Sequence, residues 1–317
     1  MRIIIIGGSG HVGTYLVPML VERGHSVINV TRGSSQPYLP NAAWQKVAHV
    51  QADREQEDKQ GTFGKLIRDL KADVVIDMIC FTLSSAQQLV EALRGEVQHL
   101  IHCGTIWVYG HSTVVPATED QPCYPFGEYG IQKAAIQAYL LQEARQRNFP
   151  ATVLQPGHIV GPGYVPLNPA ANFNPAVYGQ IGRGEELTLP NFGLETIHHV
   201  HASDVAQLFL LALTHWSSSV GENFHAVSPA AVTLRGYAEA MFRWFGHEPK
   251  LKYLGWEQWK TTVSEKDADA TWDHIARSPN ASIAKARHLL GYQPAYSSLQ
   301  AIQESVRWLV DNNKLSI

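Results

Sequence analysis

Tyr129-Gly130-Ile131-Gln132-Lys133 carries the most suggestive chemistry in the chain. On a helix, residues i and i+4 share a face, so the phenol and the ammonium point the same way. A free tyrosine has a pKa of about 10 and is a poor base near neutrality. A neighbouring cation favours the phenolate and lowers that value. The pattern therefore predicts Tyr129 as a general acid/base tuned by Lys133. A second segment, Cys103-Gly104-Thr105-Ile106-Trp107-Val108-Tyr109-Gly110, follows an apolar run that reads as a strand. It places the Thr105 hydroxyl at a strand end, where it can donate to a substrate oxygen.

A third segment, Gly7-Gly8-Ser9-Gly10-His11-Val12-Gly13, lies between a β-branched run and a helical pattern. Its G-x-G-x-x-G spacing suits a dinucleotide: one glycine for the tight turn, one for approach of the pyrophosphate, one for close helix–strand packing. The helix start then offers free N–H groups to the anion. An oxidised nicotinamide would add a second positive charge near Tyr129. At the end of the second strand the chain reads Asn29-Val30-Thr31-Arg32-Gly33-Ser34, with no acid to hold a ribose. Arg32 can pair with a 2′-phosphate, and Thr31 and Ser34 add hydroxyls, which favours NADP over NAD. Arg32 lying flat over adenine would instead suit NAD. Asp53, past the third strand, reads equally as an acceptor for the adenine amino group and as a solvated loop acid.

The elements needed to hold these groups are legible. Strands are predicted at Ile3–Ile6, Ser26–Thr31, Val47–Gln51, Val74–Ile76, His99–Cys103 and Thr152–Leu154. Helices are predicted at Val12–Arg23, Phe63–Leu70, Ser84–Leu93 and Glu128–Arg147. Such alternation makes a parallel sheet with crossover helices: an α/β fold with a doubly wound Rossmann sheet. Residues 1–156 form the expected dinucleotide-binding domain. Residues 157–317 form mainly a smaller C-terminal substrate-binding lobe that can return strands to the sheet. The stretch 157–175 reads as irregular; further helices are expected at Ser203–Thr214, Leu234–Phe245 and Ser298–Asp311.

Bulk properties narrow the class. The 317 residues carry a net charge of −3 from 25 basic and 28 acidic side chains, with no basic stripe, so nucleic-acid and membrane partners are not expected. The three cysteines, Cys80, Cys103 and Cys123, argue against a disulfide framework, and none sits in a C-x-x-C pair. No metal is expected, His102 beside Cys103 reading as a buried strand end. No apolar run approaches the about 18 residues of a membrane span, and the reading is cytoplasmic.

Taken together the segments resemble the extended short-chain dehydrogenase/reductase family, in its NAD(P)-dependent epimerase/dehydratase branch. The carriers are Gly7 to Gly13, Gly104 to Gly110, Tyr129 to Lys133, Gln155 to Gly163, Val200 to Ala206, and a tail of Asn280 to Lys285 followed by Leu290 to Pro294. The resemblance implies hydride transfer at a hydroxyl or carbonyl carbon of a sugar or sugar nucleotide. Tyr129 would be the acid/base, Thr105 would orient the substrate oxygen, and Lys133 would bind the nicotinamide ribose. It also allows a homodimer through a helical bundle. Three departures stand out. The Asp-Glu pair of the dehydratases is replaced by Ile106 and Trp107. The arginine that binds the substrate diphosphate in many epimerases is replaced by Ile197, beside candidate contacts His198 and His199, whose alternative is ordinary hydrogen bonding next to a strand. His158 replaces a usually apolar residue and is, like Trp107 and Tyr164, a candidate pocket residue for a sugar-like small molecule. Two alternatives stay open: an NADPH-dependent reductase of a non-sugar carbonyl compound, and a non-catalytic relative that senses dinucleotides or binds RNA.

Overall fold

The computed structural model describes all 317 residues. From the N-terminus the chain forms β1 (Arg2–Ile6), α1 (His11–Glu22), β2 (Ser26–Thr31), β3 (Ala48–Gln51), α2 (Arg54–Gln60), α3 (Phe63–Asp69), β4 (Val74–Asp77), α4 (Leu83–Leu93), β5 (His99–Cys103), α5 (Glu128–Gln146) and β6 (Ala151–Pro156). Next come β7 (His158–Val160), α6 (Ala176–Gly182), β8 (Leu187–Pro190), β9 (Thr196–Ile197), β10 (His199–His201), α7 (Ala202–Thr214), α8 (Trp216–Ser219) and β11 (Asn223–Ala226). The remainder is β12 (Val232–Thr233), α9 (Leu234–Trp244), β13 (Leu251–Leu254), α10 (Trp256–Trp259), α11 (Glu265–Ile275), α12 (Ala284–Leu290) and α13 (Ser298–Asp311).

Seven strands form one sheet in the order β11-β6-β5-β4-β1-β2-β3, every pair parallel. A parallel sheet is covered on both faces, which explains the unbroken apolar runs. Ile3 and Ile5 of β1 join a core with Leu16 and Val17 of α1 and Val205 and Phe209 of α7. Ile4 and Ile6 join the opposite core with Phe63, Leu89, Val90 and Ile136. A third core under Tyr178, Tyr237, Phe242 and Trp259 makes the lobe.

Much of the lobe's structure, and helix α2, was not located from the sequence, and three elements bear on the sheet and the site. The segment expected to be irregular after Pro156 contains β7, whose His158 pairs with His199 of β10. Residues 223–226 lie far along the chain yet return to the main sheet beside β6. Helix α2, Arg-Glu-Gln-Glu-Asp-Lys-Gln, has no apolar stripe to reveal it; it starts at Asp53, whose carboxylate accepts from Gln56 N at 3.3 Å. No helix is long and apolar enough to cross a membrane.

Candidate active site

Helix α5 starts at Gly127, whose φ of +72° suits a residue without a Cβ, and carries Tyr129 and Lys133 in its first two turns. Lys133 is buried, and its ammonium donates to the Cys103 carbonyl at 2.7 Å. The same ammonium lies 5.0 Å from the Phe81 ring centre and 5.9 Å from that of Tyr129. Thr105 lies two residues past the end of β5 and caps the following turn by accepting from Trp107 N at 3.2 Å; its side chain also reaches the Tyr129 phenol. Thr105, Tyr129 and Lys133 therefore meet at the carboxyl edge of the sheet.

Their electrostatics depart from the expectation. Tyr129 remains 42% exposed, yet the packing around it pushes its pKa up to about 12, with Cys103 adding to the rise and the Thr105 contact opposing it. Lys133 does not lower it: the ammonium is committed to a backbone carbonyl, not to the phenol. Burial lowers the Lys133 pKa, with Arg54 adding to that effect and Cys103, Cys80 and Asp77 opposing it.

Beneath Lys133 is a buried polar layer. Arg54 of α2 donates to Asp77 of β4 at 2.6 Å and to Asp58 at 3.3 Å. Asp77, Cys80 and His102 bring potential ligand atoms within 4.8 Å of one another, but the Arg54 guanidinium already supplies the positive charge there. Burial raises the Cys80 thiol to about 12 and holds His102 neutral, well below its usual range.

The glycine loop has the shape a dinucleotide needs. A Cβ on Gly13 would lie 1.9 Å from the Gly8 carbonyl oxygen, so α1 packs on the loop only through glycine. Gly7 has a φ of +86°. Gly10 differs from both: its φ is −85°, and a Cβ there would meet nothing closer than Gly7 O at 3.6 Å. Neither backbone nor packing requires that glycine, and the open space it leaves is at the start of α1, where an anion is favoured. Asn29, fully buried in β2, steadies the loop by accepting from Gly8 N at 3.0 Å and donating to Ser9 Oγ at 2.8 Å. Val12 is buried in the core, its side chain turned away from the loop's open face.

At the other end of the loop, Ser9, Thr31, Gly33, Gln36, Asn41 and Trp44 help to line a polar hollow of about 380 Å³. Thr31 Oγ1 accepts from Gly33 N at 3.2 Å. Arg32 and Ser34 are exposed, and the Arg32 guanidinium has no protein partner. Asp53 uses a carboxylate oxygen to cap α2, so its role as an adenine acceptor would fall to the other oxygen.

The candidate pocket residues divide. Trp107 meets the Tyr129 ring edge to face at 5.8 Å. His158 stacks on His274 of α11 at 4.7 Å, and Trp107 contacts His274 at 5.2 Å, so His158 joins the same cleft. Tyr164 does not: it stacks on His11 at 4.7 Å and touches Tyr38, over the glycine loop. His198 also leaves the pocket, because Nε2 is bonded to Ser228 O and Nδ1 accepts from Ala281 N; this is the ordinary hydrogen bonding beside a strand. His199 is fully buried and donates to Leu167 O at 3.3 Å, so it touches the site only by stacking behind His158. Spacing alone did not reveal His274, Phe173, Arg277 or Asn29. Only Asn29 left a signal, as a polar residue inside the apolar run Val27-Ile28-Asn29-Val30.

The sequence pattern of the NAD dependent epimerase/dehydratase family matches residues 3–226, most of the chain. The chain belongs to that family. It is 27% identical over 318 residues to the chloroplast stem-loop binding protein of 41 kDa b of Arabidopsis thaliana, covering 96% of this chain and 78% of that one. It is 31% identical over 137 residues to the 2′-dehydrokanamycin reductase of Streptomyces kanamyceticus, spanning 43% of this chain and 37% of that protein. The fold is shared with a UDP-glucose 4-epimerase of Thermotoga maritima, with a TM-score of 0.74 at 22% identity, covering 99% of this chain and all of the other. Membership makes the chain an enzyme of the NAD-dependent, extended short-chain dehydrogenase type.

Proposed function

We propose that the enzyme transfers a hydride at a hydroxyl or carbonyl carbon of a sugar-like substrate, with Tyr129 as general acid/base. The observation that carries this reading is the meeting of Thr105, Tyr129 and Lys133 at the sheet edge, next to a glycine loop with an open face. Thr105 orients the substrate oxygen, and Tyr129 gives it a proton during reduction or takes one during oxidation. In this reading Lys133 binds the nicotinamide ribose with the donors that the Cys103 carbonyl leaves free. Gly7 to Gly13 hold the pyrophosphate, and the bound nicotinamide supplies or accepts the hydride. The unpartnered Arg32 supports NADP over NAD, with Thr31 and Ser34 adding hydroxyls to a 2′-phosphate.

An exchangeable NADPH fits a reductase better than an epimerase, and the similarity to a reductase of Streptomyces kanamyceticus supports the same side. The test is NADPH oxidation by a panel of keto-sugars, followed by loss of nicotinamide absorbance. Tyr129→Phe is expected to lower kcat about 10²- to 10⁴-fold while NADPH binding persists. Unchanged turnover in Tyr129→Phe would remove the reading.

The stem-loop binding protein of Arabidopsis thaliana, similar along nearly this whole chain, raises RNA binding as a second reading. Against it stand the net charge of −3 and the retention of Tyr129 and Lys133. A salt-dependent shift of a labelled RNA hairpin by the purified protein would support it.

A further inference from the structure

The cleft beside Tyr129 is walled by a continuous run of rings. Phe81 lies 6.5 Å from Tyr129, Tyr129 lies 5.8 Å from Trp107, and Trp107 lies 5.2 Å from His274. His274 stacks on His158 at 4.7 Å, and His158 meets Phe173 at 5.6 Å. Phe81, Tyr129 and Phe173 are 54%, 42% and 45% exposed, so the run is open to a ligand at both ends and at Tyr129, while His274 is buried between them.

The two imidazoles have a fixed hydrogen-bond direction. His274 Nδ1 lies 2.5 Å from the Ala270 carbonyl oxygen, which can only accept, so Nδ1 carries the proton. Burial keeps His274 neutral, with a pKa near 4, and its Nε2 is therefore an acceptor. His158 Nε2, 2.8 Å away, must be the donor. His158 is also held neutral, mainly by burial. Its Nδ1 is left as a bare lone pair with no protein donor, and it is not sealed from solvent.

The cations that touch this wall are already engaged. Arg277 is 2% exposed and sandwiched 3.8 Å from the ring centres of both Trp107 and Phe126. It donates to Phe126 O at 2.7 Å and to Asp273 O and Oδ1 at 2.6 and 3.2 Å, and its remaining Nε is buried. Lys133 is held on the Cys103 carbonyl.

We propose that this cleft takes an uncharged polyhydroxylated ring, a free or glycosidically linked sugar without a diphosphate, and that His158 Nδ1 accepts one of its hydroxyl protons. Aromatic faces suit the apolar C–H face of a sugar ring, and the bare lone pair suits its rim. A diphosphate would bring two or more negative charges to a wall with no free cation, at a desolvation cost nothing there offsets. This inference rests on the reading of the site above and narrows its substrate class.

The experiment is saturation-transfer NMR on the full chain with NADP⁺, using methyl glycosides of glucose, galactose and mannose, with UDP and UDP-glucose as comparisons. At least one glycoside is expected to bind, and neither UDP nor UDP-glucose to displace it at equal concentration. His158→Phe keeps a ring in the stack but loses the acceptor, and should weaken that glycoside about tenfold. His158→Asn, which restores an acceptor near the Nδ1 position, should recover most of the affinity. UDP-glucose binding tenfold tighter than every glycoside, or His158→Phe leaving glycoside affinity unchanged, overturns the proposal. Tyr129→Phe separates the two readings: it should keep glycoside binding, and binding kept with turnover unchanged from the wild type leaves this inference standing while the catalytic one falls.

Discussion

A tyrosine whose pKa is pushed up to about 12 is a reservoir of protons at neutral pH. In the direction of carbonyl reduction it is in the working, protonated form, so the rate should not depend on this group below about pH 10. In the direction of alcohol oxidation the phenolate is needed, and the rate should climb about tenfold per pH unit until the group titrates. Steady-state rates in both directions, compared with Tyr129→Phe, check this; an oxidation rate flat from pH 6 to 9 would contradict it. At the far end of the dinucleotide groove, Arg32→Ser should raise KM for NADPH about tenfold or more and leave that for NADH nearly unchanged.

At this scale much of the site was legible. Thr105, Tyr129 and Lys133 are recognisable from spacing within short segments, because strand end and helix face follow directly from local pattern. His274 was not, because its partner His158 lies 116 residues away and its meaning comes from a contact between α11 and β7. The lowering of the Tyr129 pKa was misread for a related reason. Helical spacing puts Lys133 on the correct face, but a backbone carbonyl from β5 then captures its ammonium.

Among the elements, α2 shows how a polar helix earns its place in the core. It has no apolar face, but Arg54 reaches Asp77 at 2.6 Å, and the Arg54 and Asp77 side chains are only 8% and 3% exposed. Removing one partner leaves a buried charge alone. Arg54→Leu should therefore destabilise the protein by about 3–5 kcal/mol, whereas the double replacement with Asp77→Leu should cost much less. Urea unfolding of the single and double variants measures the difference. Apart from α2, the helices and strands of residues 1–156 were readable because their apolar periodicities are strong. Helix α2 and strands β7 and β11 were not, since two-sided polarity or short length hides them until a neighbour is in place.

For the molecule as a whole, the outstanding property is a set of histidines buried without charge. His99, His198, His201, His225 and His274 have pKa values near 4, and His199 near 3, in each case chiefly because of burial. Unfolding returns each to about 6.5, so below that pH the unfolded chain binds protons the folded one refuses. Stability is full above pH 6.5 and falls as the pH drops from there towards 4. Each such histidine removes about 1.4 kcal/mol per pH unit once charged in the unfolded state. Thermal melts should show a plateau above neutrality and a steep fall in Tm between pH 6.5 and 5. A Tm independent of pH across that window would contradict the burial seen here.

The return of β11 to the edge of β6 ties synthesis to topology. When residue 156 has emerged from the ribosome, the sheet already holds six of its strands, but β6 presents a bare row of amides and carbonyls. Its proper neighbour, residues 223–226, is still unmade, and the lobe's first part must pass before it arrives. Until then the nascent chain carries an open, adhesive border of the kind that invites pairing with other chains. The window of greatest vulnerability to misassembly is thus set by the length of chain between those two strands.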